Sequence, residues 1–173
     1  MSEVLPRPRS SGQLGDLALV QNPSLGAFAL WKFGLGYQSQ IATPSHFALS
    51  FTVLPFLLHR DTLDLLNRTN KSSGLPLFAA KLAKEAENLL AIHERALMLR
   101  PLTLQSIAVG VSAGLMSVNY ETGATRANTI DLPARKLAVP ERLKAIGPCA
   151  EKLGLWFSKL EISQIAAILR MEF

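Results

Sequence analysis

The sequence predicts a mainly α-helical fold: a compact helical domain with a winged-helix-like helix–helix–β-hairpin unit and further helices toward the C-terminus. Three observations carry that prediction. Leu104, Ile107, Ala108, Val111 and Leu115 recur at i, i+3, i+4, i+7 and i+11, the spacing of one helix face. Directly after them Met116, Val118 and Tyr120 alternate with Ser117 and Asn119, which is strand period. Glu121-Thr122-Gly123-Ala124 then supplies a turn from which Thr125 to Ile130 can return, placing a hairpin near 115–131.

The remaining elements follow in chain order. Residues 1–20 open with Pro6, Pro8, Ser10, Ser11, Gly12 and Gly15 and read as a flexible lead-in to a single domain over 21–173. Asn22-Pro23-Ser24 reads as a helix start, with Asn22 as N-cap and Pro23 at the first helical position. Leu25, Phe28, Ala29, Trp31 and Leu35 continue at helical spacing, and Gly34 and Gly36 are expected to close that helix. An apolar element from Pro44 to His59 should be kinked or divided at Pro55, which lacks an N–H. Asp61 to Leu66 can form a short helix capped by Asp61, and the polar run 67–74 reads as a loop. Helical pattern resumes at Leu75, with a break near Glu87, and should end at Arg100-Pro101. Thr103 is the expected cap of the helix before the hairpin. The last helical region starts near Pro140, is interrupted at Gly147-Pro148, and ends in a short helix capped by Ser163.

Composition narrows the function classes. Hydrophobic residues make up 49% of the 173 and charged residues only 18%, which excludes a disordered chain. Mean hydropathy is +0.22, high enough to ask whether apolar surface is covered by a partner. A membrane span does not explain it. The longest apolar stretch, Phe47 to Leu58, is interrupted by Ser50, Thr52 and Pro55 and falls short of the ~20 residues a spanning helix needs. The N-terminus lacks the apolar core of a signal peptide, and Cys149 is the single cysteine, so a reducing, cytoplasmic location is expected. The net charge of +5 is spread evenly along the chain with no basic run, unlike the concentrated basic face of most nucleic-acid binders.

No catalytic constellation emerges. Gly110-Val111-Ser112-Ala113-Gly114 matches G-x-S-x-G, but a nucleophile elbow needs a strand before the serine and a helix after it, and here the order is reversed. His46, His59 and His93 are far apart and Cys149 has no partner cysteine, so the four close ligands of a structural zinc site are missing. No phosphate-binding glycine loop occurs. No metal and no cofactor is therefore expected.

Candidates for partner binding remain. The polar segment around Arg68 and Lys71 can contact a phosphate or a protein carboxylate. His59 and Arg60 form a polar cluster at a helix end, and Arg100 and Tyr37 offer a charged and an aromatic contact. Trp156 and Phe157 point about 100° apart on a helix, so they either share one core or serve two surfaces, and an exposed Trp would be a strong interface anchor. The alternative is a winged-helix nucleic-acid-binding module whose wing carries Arg126, with Arg135 and Lys136 just beyond, to contact phosphates. Against it, the helix from Leu104 to Leu115 contains no Lys or Arg.

Four blocks together resemble one family. They are Gln21-Asn22-Pro23-Ser24-Leu25-Gly26-Ala27 running to Gly36-Tyr37; Val53-Leu54-Pro55-Phe56-Leu57-Leu58-His59-Arg60; Arg100-Pro101-Leu102-Thr103 leading to Gly114-Leu115; and Ala150 through Leu153-Gly154-Leu155-Trp156-Phe157. In this order and spacing the chain is similar to the middle component of prokaryotic three-component ABC ATPase systems. The resemblance implies a non-enzymatic adaptor that bridges an ABC-type ATPase and an effector protein in defence against phage or other invading DNA. It implies those two proteins as partners, with contact to DNA only indirect, no membrane and no small-molecule substrate.

Overall fold

The computed structural model describes residues 21–85, 89–130 and 141–172. The expected lead-in over 1–20, the break near Glu87, Arg135 and Lys136, and the expected helix start at Pro140 lie outside the described residues.

The chain is mainly helical, with one small antiparallel sheet. Helix α1 (Pro23–Ile41) starts as expected. Asn22 Oδ1 accepts from the Ser24 and Leu25 amides at 2.9 and 3.3 Å, and Pro23 occupies the first turn, where its missing N–H costs nothing. Gly34 and Gly36 do not close it. The helix runs through both, because their missing side chains are needed for packing and not for termination.

A two-residue strand β1 (Ser45–His46) and a 3-10 turn (Phe47–Leu49) lead into α2 (Ser50–Leu57). Pro55 lies inside α2, which ends two residues later, so the divided element expected around Pro55 is a short helix with the proline in its last turn. The Pro55 carbonyl accepts from Arg95 Nη1 at 2.9 Å, a side chain supplying the partner that a helix-end carbonyl lacks. Helix α3 (Arg60–Arg68) begins one residue before Asp61. His59 holds the N-cap position and Asp61 sits in the first turn, where a carboxylate suits the helix dipole. A 3-10 turn (Lys71–Ser73) breaks the polar segment, and α4 (Gly74–Glu85) and α5 (Leu89–Met98) follow.

Helix α6 (Arg100–Ser112) corrects two expectations. Arg100-Pro101 opens this helix, since proline is tolerated in a first turn. Thr103 is not a cap but a buried interior residue whose hydroxyl donates to the Leu99 carbonyl at 3.0 Å. The face turned to the core is Leu102, Thr103, Ser106, Ile107 and Gly110. Of the expected apolar face only Ile107 is buried; Leu104 and Val111 are exposed. Small side chains win the inner face because α6 lies close against α1, with Ser106 filling the space that a Cβ on Gly26 would occupy.

The hairpin is present as β2 (Met116–Asn119) and β3 (Ala124–Ala127), and β1 joins it to give the strand order β1-β3-β2. Asn119 Oδ1 accepts from the Glu121 and Thr122 amides, which forms the turn. Register places Met116 opposite Ala127 and Asn119 opposite Ala124. Beyond the end of the short β1, the Gln38 side chain supplies one more rung, donating to the Ala127 carbonyl at 3.0 Å and accepting from the Ala127 amide at 2.7 Å.

A short helix α7 (Glu141–Lys144) precedes α8 (Ile146–Phe157). Gly147 and Pro148 fall within the first turn of α8 and do not interrupt it, again because an N-terminal turn needs no proline N–H. Helix α9 (Ile162–Leu169) is capped by Glu161, in a reciprocal box with Gln164, and not by Ser163.

The core is organised around α1, whose most extensive contacts are with α8 and α6. A Cβ on Gly36 would overlap the Glu151 carbonyl oxygen, and one on Gly154 would overlap the Phe33 carbonyl oxygen. The two backbones therefore meet directly, and two sets of ring contacts flank that crossing, Phe33 with Phe157, and Trp156 with Phe78 and Phe56. Replacing glycine by alanine inside an exposed helix normally gains about 1 kcal/mol of helix propensity. At Gly154 the collision with backbone dominates, so Gly154→Ala should lose ~1–3 kcal/mol net. Urea unfolding followed by tryptophan fluorescence measures this; a midpoint at or above wild type would contradict the close approach.

Candidate partner-binding site

The sequence-derived candidates do not converge on one place. Trp156 and Phe157 are 1% and 0% exposed, so the expectation of an exposed aromatic anchor gives way to a core role for both. Phe157 packs edge-on to Phe33 with centroids 5.5 Å apart, and Trp156 Nε1 donates to the Lys71 carbonyl at 2.7 Å. Tyr37 is half-buried against Phe33. Burial, and secondarily the Glu161 carboxylate, raise its phenol pKa.

The polar segment after α3 is pinned from below. Lys152 Nζ donates to the Leu66, Asn67 and Thr69 carbonyls at 2.9, 3.2 and 2.8 Å, placing a cation on the orphan carbonyls at the end of α3. The Thr69 hydroxyl is buried and donates to Leu65. Arg68 and Lys71 remain exposed on a segment held rigid by α8. His59 faces Thr62 across 3.0 Å between Nδ1 and Oγ1. Arg60 lines a separate, larger and more polar depression of about 960 Å³ with Leu25, Leu63, Asp64 and Leu143. Arg126 is exposed on β3, and its guanidinium donates to the Ala42 carbonyl at 3.4 Å.

Arg100 alone among these residues lines a mostly apolar groove, a cavity of about 520 Å³. Its walls come from five places: β1 and the 3-10 turn, α2, the α5–α6 junction, the hairpin, and Met171 and Glu172 after α9. Phe47 and Phe51, stacked edge to face at 5.5 Å, stand with Leu97, Leu104, Val118 and Tyr120 along it. Leu97, Leu104 and Tyr120 are 58%, 45% and 84% exposed. Arg100 lies over the Phe51 ring, 6.0 Å from its centroid, and His46, His93, Asn119 and Glu172 add polar groups to the lining. The apolar excess noted in the composition is thus divided between a core and this open face.

Sequence reasoning missed His46, Phe51, His93, Leu97 and Tyr120. The one available signal was the Leu104–Ala108–Val111 stripe, whose periodicity marks a helix face without saying whether core or partner covers it.

Among the described residues, no group of three or more His, Cys, Asp and Glu side chains could hold a metal ion, and no helix is long and apolar enough to cross a membrane. Ser112 ends α6 with a strand to follow, the reverse of a nucleophile elbow. Cys149 is fully buried, with its thiol donating to Asn67 Oδ1 at 3.8 Å. Desolvation, opposed by Lys152 and aided by Asp64, pushes its pKa from the ordinary 9.0 up to about 11. The thiolate is what reacts, so iodoacetamide at pH 8 should label Cys149 far more slowly in the folded chain than in urea. The unfolded thiol also ionises first, so stability conferred by keeping it neutral falls as pH rises from about 9 to 11; Cys149→Ala should flatten that part of the stability profile.

No curated protein and no solved structure matches the chain. A family model does, over residues 13–173: ABC-three component (ABC-3C) system Middle Component 3. Covering nearly the whole chain, that match shows that the protein belongs to the family of middle components of ABC-three component systems and works with the other components of such a system.

Proposed function

We propose that the chain is a non-enzymatic, cytoplasmic adaptor that bridges an ABC-type ATPase and an effector protein in a prokaryotic system directed against phage or other foreign DNA. One observation carries the reading: large apolar side chains on α5, α6 and the hairpin are exposed together around a preformed groove, while a continuous buried core, to which α5 and α6 also contribute Leu89, Ile92, Leu102 and Ile107, is closed without them. Apolar surface open to water on an otherwise well-packed chain is what a protein interface leaves when its partner is removed. Membership of the family supports the same reading, because a middle component acts alongside other components.

The alternative, a winged-helix nucleic-acid-binding module, draws support from Arg126 on the exposed face of the hairpin. It is the weaker reading because the exposed side of α6 offers Leu104, Val109 and Val111 and no cation between Thr103 and Ser112. Groove readout of DNA relies on polar and basic side chains, and phosphate contacts on Lys and Arg.

Co-expression of the three components of the system tests the adaptor. The ATPase and effector should co-purify only when this chain is present, and its deletion should remove protection in a plaque assay. An ATPase–effector complex that forms equally well without the chain would overturn the bridging role. Salt-sensitive binding of the isolated chain to duplex DNA, lost in Arg126→Ala, would favour the alternative.

A further inference from the structure

The groove at the α5–α6 junction is apolar along most of its walls. Its polar lining comprises His46, Thr52, His93, Asn119, Arg100 and a single carboxylate, Glu172, so Arg100 is its one Lys or Arg side chain. Among the described residues Arg100 contacts the face of Phe51 and pairs with no carboxylate. A guanidinium lying on a ring keeps its planar fork of N–H donors free for a second partner. His93 Nδ1 is buried without a hydrogen-bond partner.

A neutral or basic occupant would cover Arg100 with nothing to replace its water, a substantial penalty. A carboxylate turns the same burial into a charge-assisted, bidentate pair. The cavity volume of about 520 Å³ lies in the range of pockets that receive a compact ligand, so it takes a short segment and not a flat protein face. We infer that the groove binds a segment of a partner protein that carries large apolar side chains beside an Asp or Glu, whose carboxylate pairs with Arg100 while the apolar side chains lie against Phe51 and Leu104. The inference rests on the adaptor reading and names the chemistry of the segment it recognises.

The test uses the full chain with overlapping synthetic peptides that tile the other components of its system, read by fluorescence polarisation. Each bound peptide containing Asp or Glu is paired with a version carrying Asn or Gln instead. Wild type should bind the acidic versions at least tenfold more tightly than the amides. Arg100→Gln should bind both versions equally, and Leu104→Asp should bind neither. Both residues are exposed, so thermal midpoints should stay at the wild-type value. Equal affinity for acid and amide in wild type, or a preference that survives in Arg100→Gln, overturns the inference. So does concentration-dependent self-association abolished by Leu104→Asp, which would give the groove to a second copy of the chain. If no peptide binds, the intact components decide: binding lost in both variants supports the groove, and binding unchanged in either overturns it. Failure of wild type to bind any intact component instead overturns the adaptor reading itself, and this inference with it.

Discussion

The direct meeting of the α1 and α8 backbones is the constraint on which the rest of the structure depends. Gly36 sits against the Glu151 carbonyl and Gly154 against that of Phe33, so neither helix can shift or rotate without a backbone collision. Two helices brought this close leave little room between them, and the large rings are displaced to the flanks. Phe33 and Phe157 lie beside the crossing, and Trp156, Phe78 and Phe56 form a second aromatic set toward α2 and α4. The Lys32–Glu151 ion pair at 2.8 Å closes the outer edge; both side chains are partly exposed, so it adds register more than stability.

Both helices also reach outward with polar side chains that organise what would otherwise be loose chain. From α1, Trp31 Nε1 donates to the Asn128 carbonyl at 2.9 Å and Gln38 pairs with both backbone groups of Ala127, which fixes the hairpin to the bundle. From α8, Lys152 and Trp156 hold the segment after α3 by its carbonyls. The hairpin is therefore a fixed wall of the groove, and its orientation is set by the same helix that sets the core.

That rigidity bears on recognition. A preformed groove loses little conformational freedom on binding, so more of its contact energy remains as affinity. Phe47, Phe51 and Leu104 provide apolar area, and in the proposed recognition Arg100 discriminates among apolar segments by charge. Such a division suits a protein that must select particular partners within one multi-component system.

Much of the architecture was legible in the sequence because it depends on local chemistry. Asn22-Pro23 supplies its own helix cap and first turn, the alternation from Met116 follows strand period and becomes β2 up to Asn119, and four spaced blocks sufficed to indicate the family. Errors arose where tertiary contacts override local rules. Gly34 and Gly36 look like helix ends unless a second backbone is known to lie against them, and the first-turn prolines Pro101 and Pro148 look like breaks unless the helix start is known. The same limit hid the site. Leu104 and Ile107 are indistinguishable by periodicity, yet one faces the groove and the other the core, and Trp156 and Phe157 were equally ambiguous until α1 and α4 were seen to cover them. Periodicity by itself determined which residues share a helix face; only the tertiary structure decided which face is covered, because burial depends on neighbours far away in sequence.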